Sequence, residues 1–137
     1  IIAGRDLEFC YRKLHLKAGI LLKAEIGLTP ADPDEIKTAF QKNLAAKSAG
    51  QPLSKASGGC FFKNPSFDQP AGYLIEKAGL KGYKHKGAAI SNLHANFIIN
   101  HNNARCDDIL ALKQMVQDRV YDKFGIRLES EVKAIGE

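Results

Sequence analysis

The chain has 137 residues, 45% of them hydrophobic and 26% charged, with a formal net charge of +5. That is enough for one domain, or one domain and part of a second, with a true apolar core. No apolar run approaches the roughly 20 residues that a membrane-crossing helix needs, so no membrane partner is expected. The positive balance suits an anionic ligand. It is spread along the chain without any run of five Lys/Arg, so nucleic acid is not the expected partner. Cys10, Cys60 and Cys106 are far apart, and neither they nor His15, His85, His94 and His101 have metal-ligand spacing. A disulfide framework and a metal site are therefore not expected, and a reducing, cytoplasmic compartment is. The chain opens on "IIAGRDLEFC", without Met or a basic-then-apolar leader, and reads as part of a longer polypeptide.

In chain order, "AGILLKAEIGL" (18–28) predicts a strand, apolar and alternating in its second half. A helix is expected next, capped by Asp32, with Pro33 at its first position and Glu35 as capping-box partner. Ile36, Phe40 and Leu44 recur every fourth residue and predict a buried face, with Gly50 as the stop. Residues 51–69 read as irregular, yet Phe61, Phe62 and Phe67 argue against disorder. A short helix should start at Pro70, with Leu74, Ile75 and Ala78 inward and Gly79 at its end. "KGYKHKGAAI" and "HANFIIN" read as extended. A long amphipathic helix follows from about Arg105 to Phe124, with Ile109, Leu112, Val116 and Val120 as its buried stripe. Asp107 and Asp108 favour its N-terminal end and Gly125 ends it. "EVKAI" predicts a last strand. The class is α+β, a mixed sheet packed with helices.

The segment "SGGCFFKNP", from Ser57 to Pro65, combines two glycines, a thiol, two phenylalanines and a Lys-Asn pair. Such a bend suits a reactive side chain held beside polar groups. "GCFFKNP", "AGYLIEKAGLKGYKHKGAAIS", "HANFIIN" and "FGIRLESEVKAIG", in that order, resemble the C-terminal part of the UDP-N-acetylenolpyruvoylglucosamine reductase (MurB) family. Tyr11-Arg12 is similar to the Tyr-Arg pair at the end of that family's flavin-binding domain. The resemblance implies a division into residues 1–28, the end of a flavin-binding domain, and 29–137, a C-terminal substrate-binding domain. The short spacing from Arg12 to Cys60 resembles the subgroup without an extra loop over the substrate.

The resemblance also implies the chemistry. A hydride passes from NADPH through FAD to the enolpyruvyl double bond of UDP-N-acetylglucosamine enolpyruvate, giving UDP-N-acetylmuramate for peptidoglycan synthesis. The second carbon must then receive a proton, and cationic groups must face the carboxylate. Cys60 falls at the proton-donor position, where the family usually has serine, and a thiol gives up its proton more readily than a hydroxyl. Arg12 and Glu131 fall at the two other catalytic positions: Arg12 offers a planar fork for a carboxylate, and Glu131 serves as an acid only where it stays partly protonated. Lys63, Asn64 and His94 fall at substrate-contacting positions. "LESEV" stands where "LEPEV" is usual, and no glycine-rich dinucleotide loop is present. FAD is therefore expected to be held mostly outside this chain, which is expected to be monomeric. The alternative is a UDP-sugar-binding module without redox activity. Without the resemblance, Cys60 is a small buried hydrophobe, Arg12 a surface arginine, Glu131 the outer residue of an edge strand and His94 a satisfied histidine. Cys10 and Cys106 read as structural.

Overall fold

The computed structural model describes residues 2–16 and 20–136. The chain forms two compact units, Ile1–Pro33 and Asp34–Glu137. In the first, a 3₁₀ turn over Gly4–Asp6 precedes an antiparallel hairpin of β1 (Glu8–Cys10) and β2 (Lys13–His15). Tyr11 and Arg12 form the hairpin's tip, with Arg12 in the left-handed region at φ 58°. Its guanidinium lies 5.7 Å from the centre of the Tyr11 ring. A non-glycine residue with positive φ is uncommon, and here it closes the tight turn between paired strands.

The strand expected over 18–28 does not form. Residues 18 and 19 lie outside the described residues, and 20–28 are irregular, with Ile20, Leu22 and Leu28 almost fully exposed. Apolar alternation proposes a strand, but only a neighbouring strand can accept its backbone hydrogen bonds. None lies beside it among the described residues.

α1 (Pro33–Gly50) starts at the last residue of the first unit and otherwise belongs to the second, and the proline occupies the first helical position as expected. Its expected buried face is not buried: Ile36, Phe40 and Leu44 are 54%, 64% and 46% exposed. A periodic stripe shows which face of a helix is apolar, not that this chain covers it. Beyond α1 lies a four-stranded sheet in the order β3 (Ser57–Cys60), β6 (Phe97–Asn100), β5 (Ala88–Ile90), β4 (Lys84–His85), every pair antiparallel. Within the segment expected to be irregular, residues 57–60 thus pair as an edge strand. Two helices complete the unit, α2 (Ala71–Lys77) and α3 (Cys106–Phe124). α2 packs on α3, and α3 packs on β5.

One core joins these elements: Phe61 and Phe62 beside β3, Leu74 and Ile75 of α2, Ile90 and Ile98 of the sheet, and Leu112, Val116 and Val120 of α3. The stripes read for α2 and α3 are those that pack, with Ile109 and Ala78 partly buried at the margin. Asp108 accepts the Arg105 N–H at 3.0 Å and so anchors the start of α3. That hydrogen bond, helped by Lys86 and opposed by burial, holds its carboxyl below the usual carboxylate range. Gly125, at φ 69°, ends the helix with its N–H on the Tyr121 carbonyl.

The strand expected in "EVKAI" is also absent. The chain makes one antiparallel bridge slightly earlier, Ser130 with Phe62, and residues 133–136 are exposed without pairing. The backbone bonds Lys63 N–H to Glu129 O (2.8 Å) and Glu131 N–H to Phe61 O (2.9 Å) flank that bridge. Leu112→Ala, at a fully buried position between α3 and the sheet, should destabilise the unit by about 2–5 kcal/mol, read from denaturant unfolding. A change below about 1 kcal/mol would mean that α3 is not packed as described.

Candidate functional site

The bend at the glycines is a β-bulge. Ser57 pairs with Ile99 and Cys60 with Phe97, so β3 spends one residue more than β6 between the same two rungs. Gly59 absorbs the surplus at φ 86°, a conformation that side chains rarely adopt. Because side chains alternate along a strand, one inserted residue changes the face on which Cys60 lies. Cys60 ends half-buried at the edge of a cavity of about 320 Å³, lined also by Asn64, Gly72, Glu76, His94 and Asn96.

The residues after Cys60 are held closely. Phe61 donates its N–H to Asn96 O at 2.7 Å. Phe62 donates its N–H to the Asn96 side-chain oxygen at 2.9 Å, and its carbonyl accepts from Asn96 Nδ2 at 2.8 Å. Both phenyl rings are buried and meet in a tilted pair with centroids 5.3 Å apart. Asn64 turns its side-chain oxygen to the Ala71 N–H at 3.0 Å, fastening the site loop to the start of α2. His94 accepts the Asn96 N–H on Nδ1 at 3.2 Å. The neutral ring therefore carries its proton on Nε2. The ring meets Phe97 edge-on, with centroids 5.0 Å apart, and it lies close against Gly72, where an added Cβ would stand 3.0 Å from His94 Cε1 and press on the ring.

Three of the six expected site residues, Cys60, Asn64 and His94, thus share one cavity. Glu131 is half-buried and tied through its N–H to the residue after Cys60. Lys63 does not line the cavity: its ammonium pairs with Glu129. Arg12 belongs to the first unit, at the hairpin tip. The sequence reading missed Asn96, Gly72 and Glu76; the one available signal was a polar residue between apolar ones in "HANFIIN". A larger open hollow of about 720 Å³ runs along α3 and residues 127–130. Gln117 bonds the Leu128 carbonyl there and Arg127 stacks 4.4 Å from the Tyr121 ring centre, but none of the expected site residues lines it. Among the described residues no cluster of His, Cys, Asp and Glu is arranged to hold a metal ion, and no helix is long and apolar enough to cross a membrane.

Comparison with known proteins gives this geometry a family. Residues 51–135 match the family model for the C-terminal domain of UDP-N-acetylenolpyruvoylglucosamine reductase. The chain belongs to that family. Curated reductases of this name are similar over nearly its whole length: that of Desulfosudis oleivorans is 40% identical over 97% of the chain, and that of Synechococcus 44% over 96%. The crystal structure of the Thermus caldophilus reductase (MurB) superposes with a TM-score of 0.77 and 39% identity, covering 95% of this chain. The chain spans less than half the length of these relatives, 45% and 44% of the two sequences and 47% of the solved chain. The stretch matched to the reductase family model contains Cys60, Lys63, Asn64, His94 and Glu131, and leaves out Arg12 and all of α1.

Burial, and then the positive charge of Lys81, hold the His94 imidazole below its ordinary value, against a weaker opposing pull from its own backbone and Glu76. The unfolded chain therefore takes up a proton at His94 at a higher pH than the folded chain does. Stability contributed at this position is lost as pH falls below about 6.5, the unfolded value, toward the lowered folded one. His94→Gln should remove that loss. Its melting temperature should fall less than the parent's between pH 7 and 5, measured by calorimetry. Parallel pH slopes would show that the ring is not held neutral by the fold.

Proposed function

We propose that this chain is the substrate-binding portion of a reductase that uses FAD and NADPH to convert UDP-N-acetylglucosamine enolpyruvate to UDP-N-acetylmuramate, in the cytoplasm, for peptidoglycan synthesis. The observation that carries the reading is the meeting of a thiol, an amide and a neutral imidazole in one cavity of a domain of this family. At about 320 Å³ the cavity is at the small end of ligand sites, which run from about 300 to 1,000 Å³. It suits one part of a nucleotide sugar, not a whole flavin dinucleotide. We assign flavin binding mostly to protein outside this chain.

What this chain contributes is acid–base chemistry and grip. Reduction of the enolpyruvyl double bond forms one C–H bond from hydride and one from a proton. Cys60 supplies the proton: its S–H bond breaks as the new C–H bond forms, and the thiolate left behind regains a proton from water. The bulge at Gly59 presents that thiol at the cavity edge, and the bond from Glu131 N–H to Phe61 O ties the Glu131 main chain to the residue after it. Arg12 is assigned to the substrate carboxylate and Glu131 to stabilising the charge that develops there. Asn64 retains its amide N–H groups for a ligand, because only its oxygen is committed to α2. His94 offers an Nε2–H donor. Lys63, neutralised by Glu129, serves a phosphate only after exchanging that partner.

Two measurements test this reading. The 137-residue chain should show a raised melting temperature with millimolar UDP-N-acetylglucosamine; no shift and no heat of binding would count against it. In the reductase assembled with its flavin-binding part, Cys60→Ala should leave flavin reduction by NADPH near the parental rate. Reoxidation by the enolpyruvyl substrate should slow by on the order of 10² to 10⁴, and Cys60→Ser should recover much of that loss. Parental reoxidation in Cys60→Ala would remove the thiol from the chemistry, and sugar binding without any reduction would favour the binding-module alternative.

A further inference from the structure

Phe62 lies where the sheet runs out of backbone. On one side it bridges Ser130, with the flanking bonds made by its neighbours, Lys63 N–H to Glu129 O and Glu131 N–H to Phe61 O. The N–H and C=O of Phe62 itself face the opposite side, where β6 begins only at Phe97. No main chain takes them there. The side chain of Asn96 does, accepting from one at 2.9 Å and donating to the other at 2.8 Å. A carboxamide has the donor and acceptor of a peptide unit, so one side chain stands in for a missing rung. Phe62 is 1% exposed and Asn96 3%, so neither group has water as a substitute partner.

The backbone of the same residue reaches two other parts of the cavity. Its carbonyl accepts from Phe61 N–H at 2.7 Å, and its N–H donates to His94 Nδ1 at 3.2 Å. Phe61 in turn accepts the Glu131 N–H at 2.9 Å. We propose that Asn96 is the positioning residue of this site, registering the Cys60 strand end, the Glu131 segment and the His94 ring against one another. The proposal rests on the functional reading above only for what the cavity binds.

The test uses the whole chain with the exposed Cys10 and Cys106 changed to Ser, so that iodoacetamide reports on Cys60 alone. Asn96→Leu keeps roughly the shape and loses both side-chain bonds. Asn96→Asp keeps the acceptor and can donate to Phe62 O only while its carboxyl is protonated. Burial and the facing carbonyl both disfavour its charged form, so the donor persists above the usual carboxylate range and is lost as pH rises. Cys60, His94 and Glu76 line the same cavity and titrate as well. The Cys10/Cys106 double variant retaining Asn96 is therefore the reference at every pH.

Alkylation of Cys60 in Asn96→Asp should match that reference at acid pH and diverge from it by about tenfold or more as pH rises. Asn96→Leu should differ by a similar factor throughout. Melting temperatures should follow the same pattern, with the deficit of Asn96→Asp growing with pH. The proposal is overturned if both variants stay within about twofold of the reference at all pH, or if the Asn96→Asp deficit has no pH trend. It is equally overturned if Asn96→Asp is unfolded at acid pH, where its donor is present. Failure of the chain to bind UDP-N-acetylglucosamine would sink the functional reading and leave the thiol readout intact.

Discussion

The two hydrogen bonds between the Asn96 amide and the Phe62 main chain let the sheet end beside a cavity without leaving polar groups stranded. An orphaned buried N–H or C=O costs about 1–3 kcal/mol, more than the net gain from an ordinary hydrogen bond. A strand edge beside a ligand site must therefore either be covered by another strand, which fills the site, or be satisfied by something smaller. Asn96 is the smaller solution. Space is left for Cys60, Asn64 and His94 to line the cavity.

That constraint explains the unusual composition of the loop. Phe61 and Phe62 are buried because the segment that carries them runs between Asn96 on one side and residues 129–131 on the other. Their rings anchor the backbone in the core shared with α2 and α3. Gly59 supplies the bulge just before this anchored stretch, and Asn64 ties the loop to α2 just after it. Cys60 thus sits at the junction of an adaptable glycine turn and a rigid stretch, which suits a group that must be presented at one fixed point.

Much of the fold was legible where a segment's own pattern met a partner inside the same unit. The stripes of α2 and α3 and the strand in the second half of "HANFIIN", Phe97–Asn100, form because the sheet and two helices bury one another. The reading failed where a pattern was sound but its partner was not there. Ile36, Phe40 and Leu44 are periodic and exposed, and residues 20–28 alternate without pairing. "EVKAI" stops short because only the residues next to Ser130 find a neighbour.

The sequence by itself determined the family and the α+β class, and it supplied the candidate site residues, because ordered motifs and local periodicity are properties of the chain alone. Tertiary structure alone decided which of those residues meet. It joined Cys60, Asn64 and His94 in one cavity, turned Lys63 to Glu129, and made Asn96 a substitute for a strand. The reason is physical: whether a buried polar group is satisfied depends on which distant backbone lies within about 3 Å, and no spacing along the chain encodes that distance.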